Sequence, residues 1–471
     1  MQSRRVDVAI IGAGTAGLTA RRAALRQGAS VVMIEDGPYG TTCARVGCMP
    51  SKLLIAAADA AYEMRHAGRF GVHAGEVTVD AAAVLARVRA ERDRFVGFVL
   101  SDVEEIAPDQ KLRGRARFVG PTALEVTPVD GGEPVQVEAR AVVIASGSSS
   151  WAPPVLDGAG DRLLHNDDVF ELETLPESMA VIGTGIIGIE LGQALHRLGV
   201  GTSFFTIDDM IGPMTDPAVK ASAQSIFGAE LDLHLEVKID AVDRTDDGIR
   251  IRWTDPAGER HEAESQLMLA ATGRRPNVAD LGLDQAGIEL DAKGLPRFDP
   301  STMQCGDTPV FIAGDANNQR PLLHEASDEG HIAGGNAARY PDVEPQQRRF
   351  PLGIVFSDPQ MAIVGAAHAE LSRGEVDFEI GEVDYGRQGR SRVMGKNAGL
   401  VRVYGEHPSG RFLGAEMIGP RVEHTAHLLS WAGQMGLGVD EMLKLPFYHP
   451  VVEEGIRTAL RDLSKKLRKR G

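Results

Sequence analysis

Three cysteines in 471 residues are too few to staple a fold, so no structural disulfide framework is expected. Aromatic residues are scarce too, at 5 %. No apolar run approaches the roughly 20 residues a membrane-spanning helix needs, and no membrane partner is expected. No hydrophobic signal core precedes the first apolar stretch, which follows Met1-Gln2-Ser3-Arg4-Arg5 directly; the reading is a cytoplasmic protein. Cations are outnumbered, 50 against 66 acids, for a formal net charge of -16. That balance argues against nucleic acid as the main partner. Lys465, Lys466, Arg468, Lys469 and Arg470 do collect at one end and read as a solvated helix terminus whose cations suit the dipole.

Two of the three cysteines stand five positions apart in Gly40-Thr41-Thr42-Cys43-Ala44-Arg45-Val46-Gly47-Cys48-Met49-Pro50-Ser51-Lys52. In an undistorted helix that spacing is about 7.5 Å of axial rise, whereas a disulfide needs Cα atoms roughly 4.4–6.8 Å apart. A bond between them therefore requires irregular backbone, and Gly47 supplies the freedom. Pro50 suits a first helical turn, and Leu53, Leu54, Ile55 and an alanine run continue the helix. The pair thus marks a helix start, where the dipole and Lys52 both favour thiolates. No further cysteine or histidine cluster lies nearby to complete a zinc site. Two readings remain open from spacing alone: a redox pair, or two inert buried thiols.

The sequence around them predicts nucleotide folds. Val6–Ile11 reads as a buried parallel strand, followed at once by Gly12-Ala13-Gly14-Thr15-Ala16-Gly17, a helix to about Arg26 and a strand over 29–34. Glu35 stands eighteen positions past Gly17, where an acid accepts from a ribose hydroxyl. The pattern restarts after Pro153-Pro154 with a strand over 179–182, then Gly183, Gly185 and Gly188, a helix to Leu198 and a strand over 203–205. Eighteen past Gly188 stands Thr206, with Asp208 and Asp209 just beyond and no arginine near to hold a 2′-phosphate. That favours NAD and leaves NADP open. A second long helix, capped by Asp80, is predicted after the cysteine helix, which ends near His66 with Gly68 as its left-handed cap. A β region over 111–137 and a separate strand over 141–145 follow, ending in Ser146-Gly147. Gly273 echoes that strand end, and a strand over 310–313 ends in Gly314-Asp315. Beyond about 350 the texture is α+β, with a hairpin over 400–418 and a helix from about Thr425. Late in the chain, His449-Pro450-Val451-Val452-Glu453-Glu454 sets a histidine five residues before an acid, as an oriented base would require.

The fold class expected is α/β: two Rossmann-like dinucleotide-binding domains and a C-terminal α+β dimerisation domain. The boundaries expected are 1–152, 153–282, a return segment 283–349 completing the first domain, and 350–471.

Together these motifs resemble the FAD-dependent pyridine nucleotide-disulfide oxidoreductases over nearly the whole chain, and within them the dihydrolipoamide dehydrogenase branch. Pro50-Ser51-Lys52 and Gly188-Ile189-Glu190 carry the finer likeness, and the further C-terminal cysteine pair of the mercuric reductase branch is absent. The resemblance implies FAD against Gly12, Gly14, Gly17, Glu35, Lys52, Ala116, Ser146, Gly147 and Asp315. It implies NAD against Gly183, Gly185, Gly188 and Gly273, with Glu190 paired to Lys52. Cys43 would be the interchange thiol and Cys48 the thiol against the flavin. His449, oriented by Glu454, would come from the other subunit of a homodimer. The dihydrolipoyl group would be carried on a separate acyltransferase or lipoyl protein. Competing expectations are an NAD(P)H-dependent reductase of another small disulfide, or a diaphorase or transhydrogenase in which the cysteines are incidental.

Overall fold

The computed structural model describes residues 2–470. The chain divides into two compact units, each assembled from separated segments. The first takes the chain up to Pro50, Arg89–Trp151 and Arg274–Arg348; the second takes Ser51–Val88, Ala152–Gly273 and the chain from Arg349.

The first unit is built on strand β1 (Gln2–Ile11), helix α1 (Thr15–Arg26) and strand β2 (Val31–Glu35). β1 lies between β2 and the strand Val135–Ile144, parallel to both, and Val310–Ile312 continues the parallel array beyond it. A central parallel strand is covered on both faces. Accordingly Val8 and Ile10 pack with one cluster, against the alanines of α1 and of the helix Leu323–Arg339, while Ala9 and Ile11 pack with another. The two helices approach closely because Gly330 and Gly334 face backbone: a Cβ there would lie 2.3 Å from Ala16 O and 2.1 Å from Ala20 O.

Two details depart from expectation. β1 starts at Gln2 rather than Val6, and the strands expected near 137 and 141 are one, Val135–Ile144. Gln2–Arg5 pair with Val135–Glu138, a ladder held by backbone groups, which need no apolar side chains and so leave no periodic signal.

In the second unit β3 (Ser178–Ile182), α2 (Ile186–Arg197) and β4 (Gly201–Phe205) repeat the strand–helix–strand unit. Their sheet runs Asp232–His234, β4, β3, Leu267–Ala270, Leu163–Leu164, all parallel. A five-stranded antiparallel sheet from Leu352 to Gly419 follows, its Leu400–Glu406 and Phe412–Gly419 strands pairing as the expected hairpin. The helices α3 (Val422–Gln434) and α4 (Glu454–Arg470) cover it, sealing a core of Val401, Val403, Met417, Leu429, Ile456 and Leu460. Asp80 caps the helix Ala81–Glu104 through Ala83 N. The left-handed glycine after the cysteine helix is Gly71 (φ 76°), not Gly68, because a 3-10 turn over Ala67–Phe70 extends the helix first.

Candidate functional site

The cysteine segment is two helices. Cys43 lies in the short helix Thr42–Val46, and Cys48 opens the long helix Cys48–His66, with Gly47 as the break between them. A Cβ on Gly47 would sit 3.2 Å from Cys43 Cα, so the absence of a side chain there eases the close return of the break on the first cysteine. Cys43 is half-buried and Cys48 exposed. Lys52 follows Cys48 by about one turn of the same helix.

The first unit holds the first fingerprint. Gly12 adopts φ +106°, and a Cβ there would meet Ala145 O at 2.2 Å; a Cβ on Gly17 would meet Gly12 O at 2.0 Å. A Cβ on Gly14 would meet nothing within 4 Å. Two glycines therefore serve the turn and the packing, and the middle one leaves the space through which a diphosphate reaches the N-terminus of α1. Glu35 Oε2 accepts from Ala13 N at 2.7 Å and its Oε1 from Gly37 N at 2.8 Å. Burial raises its pKa, and those backbone donors offset part of the rise. Ser148 Oγ donates to Asp315 Oδ2 at 2.7 Å, while Ser146 Oγ is buried with no hydrogen-bond partner among the described residues. Gly147 takes φ +69° in the same turn. Ala116 is buried in Lys111–Phe118, opposite Val126. An open middle glycine, a held acid and an orphan hydroxyl fit a dinucleotide such as FAD.

One support in this unit carries no local motif. Glu329, fully buried, accepts from Gly314 N and Asn317 Nδ2, each at 2.8 Å, and from Arg348 at 2.7 Å. It thereby holds the turn that presents Asp315. No spacing rule links residues 15 apart across a strand end and a helix, so the sequence offered no sign of it.

The second unit repeats the glycine logic. Gly183 takes φ +103°, with a Cβ position 2.5 Å from Ala271 O; a Cβ on Gly188 would lie 1.9 Å from Gly183 O; Gly185 faces open space. Gly273 also has a positive φ, +110°. Lys52 Nζ donates to Glu190 Oε2 at 2.6 Å, and Phe356 N donates to Glu190 Oε1 at 2.8 Å. The Lys52 ammonium lies 4.7 Å from the centre of the Phe356 ring. His449 Nδ1 meets Glu454 Oε2 at 3.0 Å, and the imidazole is 79 % exposed. That hydrogen bond holds the Glu454 carboxyl below the usual carboxylate range. The loop between them is fixed by Gln388, whose Nε2 donates to Val451 O at 2.8 Å, again from far along the chain.

Among the described residues, no helix is long and apolar enough to cross a membrane.

The family described as pyridine nucleotide-disulphide oxidoreductase matches residues 6–330, and its dimerisation domain matches residues 352–460. A dihydrolipoyl dehydrogenase of Halobacterium salinarum is 30 % identical over 97 % of this chain and 96 % of its own. A mercuric reductase of Streptomyces lividans is 29 % identical over 98 % and 97 %. The crystal structure of LpdA from Mycobacterium tuberculosis shares the fold, with a TM-score of 0.82 at 24 % identity, covering 97 % of this chain and 99 % of that one. So does the HOCl-induced flavoprotein disulfide reductase RclA from Escherichia coli, at 0.78 and 19 %, covering 98 % of this chain and 99 % of that one. With two glycine fingerprints built alike, a cysteine pair at a helix start and a matching dimerisation domain, the chain belongs to the pyridine nucleotide-disulphide oxidoreductases, flavoproteins that bind FAD and NAD(P).

Proposed function

We propose that the protein is a cytoplasmic homodimer that oxidises dihydrolipoyl thiols, carried on a separate acyltransferase or lipoyl protein, and reduces NAD. The observation that carries this reading is the exposed His449 held by Glu454. An imidazole with one nitrogen tied to a carboxylate keeps its other nitrogen for a proton arriving from outside the fold. A dithiol substrate needs such a base, because only the thiolate attacks a disulfide.

In the proposed reaction the substrate thiol gives its proton to the partner's His449. The thiolate attacks the Cys43 sulfur of a Cys43–Cys48 disulfide, releasing Cys48 as thiolate. The second substrate thiol then attacks the mixed disulfide, so lipoyl disulfide leaves and both cysteines are reduced. FAD, when bound, supplies the passage of that electron pair to NAD. Gly12, Gly14, Gly17, Glu35, Ala116, Ser146, Gly147 and Asp315 would hold FAD. Gly183, Gly185, Gly188 and Gly273 would hold the nicotinamide nucleotide. Glu190 would fix Lys52 on the helix that begins at Cys48.

The test is NAD reduction by dihydrolipoamide at pH 8 with FAD-loaded protein. Turnover that disappears in Cys48→Ser while NADH still reduces a dye supports the reading. A protein whose flavin NADH reduces but that ignores dihydrolipoamide is a reductase of another disulfide. Thiol turnover that survives in Cys48→Ser overturns the cysteine chemistry altogether.

A further inference from the structure

The two fingerprints can be aligned through their own strand registers. In the first, Ile11 pairs with Ile34, and Gly12 N donates to Ile34 O at 2.7 Å. In the second, Ile182 pairs with Phe205, and Gly183 N donates to Phe205 O at 2.8 Å. The residue after Ile34 is Glu35 and the residue after Phe205 is Thr206, so Thr206 occupies the place of the ribose-binding acid by backbone geometry, not only by count. Its side chain is buried and carries no charge.

Thr206 does not act alone. Its Oγ1 donates to Asp208 Oδ1 at 3.0 Å, and Met210 N donates to the same oxygen at 3.1 Å. The Asp208 main chain is held as well: its carbonyl accepts from Glu236 N at 2.9 Å. Asp208 is exposed, and both side-chain contacts fall on Oδ1, which leaves Oδ2 as the acceptor on offer. The neighbouring Asp209 is committed elsewhere, to Lys220 Nζ at 2.5 Å. That pair also occupies the ammonium nearest in sequence to the turn, and residues 206–212 contain no lysine or arginine. Ile207, 79 % exposed between Thr206 and Asp208, offers an apolar flank of the kind an adenine ring covers.

We propose that Asp208, tethered by Thr206, is the residue that selects the nicotinamide nucleotide: its carboxylate accepts from the adenosine ribose diol and repels a 2′-phosphate. The acid has moved two residues along the chain, and the threonine hydroxyl orients it. This rests on the reading above that the second fingerprint binds the nucleotide, and its test does not depend on turnover.

Calorimetric titration of the FAD-loaded protein with ADP-ribose and with 2′-phospho-ADP-ribose separates the two questions. The wild type is expected to bind ADP-ribose more tightly. Asp208→Asn should weaken ADP-ribose about tenfold, the worth of one charge-assisted hydrogen bond, and should narrow the gap to the 2′-phosphorylated compound. Adding Thr206→Glu to Asp208→Asn should restore the preference, because it returns an acid to the strand end. Asp209→Asn, which releases Lys220, should leave the ADP-ribose affinity unchanged. Unaltered affinities in Asp208→Asn, a wild-type preference for the 2′-phosphate, or a loss of ADP-ribose affinity in Asp209→Asn would each overturn the proposal. If the wild type binds neither compound while retaining FAD, the nucleotide assignment of the second fingerprint falls with it.

Discussion

Lys52 and Glu190 form an ion pair whose two halves differ sharply in their access to water. The Glu190 side chain is 5 % exposed and that of Lys52 is 32 % exposed, at a separation of 2.6 Å. At an effective dielectric of 20 the gross attraction is about 6 kcal/mol, most of it offset by the cost of taking both charges out of water. The net value of the pair is therefore small, and the informative quantity is the asymmetry on breaking it. Lys52→Met leaves a carboxylate buried with Phe356 N as its one remaining partner among the described residues, and should cost about 3–5 kcal/mol. Glu190→Gln leaves an ammonium that can turn to solvent, and the amide oxygen can still accept from Phe356 N; that change should cost about 1–2 kcal/mol. The double variant Lys52→Met/Glu190→Gln removes both charges and should be more stable than Lys52→Met alone. Urea unfolding of the four proteins, with and without FAD so that cofactor loss is not mistaken for a broken pair, gives the order of midpoints. Equal costs for the two single variants, or a double variant no better than Lys52→Met, would refute the argument from burial.

Two further outcomes follow from the second unit. On α3, Leu428 and Trp431 recur at helical spacing and Met435 follows as the C-terminal cap, with Trp431 67 % and Met435 75 % exposed, within the matched dimerisation domain; Trp431→Glu should halve the sedimenting mass and abolish thiol turnover, since the base would come from the partner. Burial pushes the Asp358 carboxyl up, but Lys396 and Arg197 more than offset it and hold it below its ordinary 3.8. Its folded value is thus depressed, so its contribution is complete above pH 3.8 and is lost as pH falls through the lower folded value. Lys396→Met removes one of the two cations and should move the midpoint of acid unfolding to higher pH, read by tryptophan fluorescence.

What was legible in the sequence is what local backbone geometry demands. A turn that must carry φ +106° at Gly12 and bring Gly17 against Gly12 O accepts little but glycine, and so the fingerprint is written in consecutive residues. His449 and Glu454 are legible for a simpler reason: they are close in space because they are close in sequence. Burial on both faces likewise leaves its mark, as an apolar run in β1 and β3.

What was not legible depends on a choice of rotamer or register between distant segments. Glu329 is one acid among several on its helix, and nothing nearby distinguishes it from Glu325; only the folded turn shows that it holds Gly314 and Asn317. Gln388 and Val451, or Phe356 and Glu190, are joined by one hydrogen bond each across 63 and 166 positions. Backbone pairing is equally silent: polar Gln2–Arg5 extend β1 because Val135–Glu138 offer a ladder. The strand end at Thr206 shows the division most clearly. Counting from Gly188 finds a missing acid, and a count can go no further. The hydrogen bond from Thr206 to Asp208 turns that absence into a displaced carboxylate, because a hydroxyl at the strand end can aim an acid that the spacing rule had no means to place.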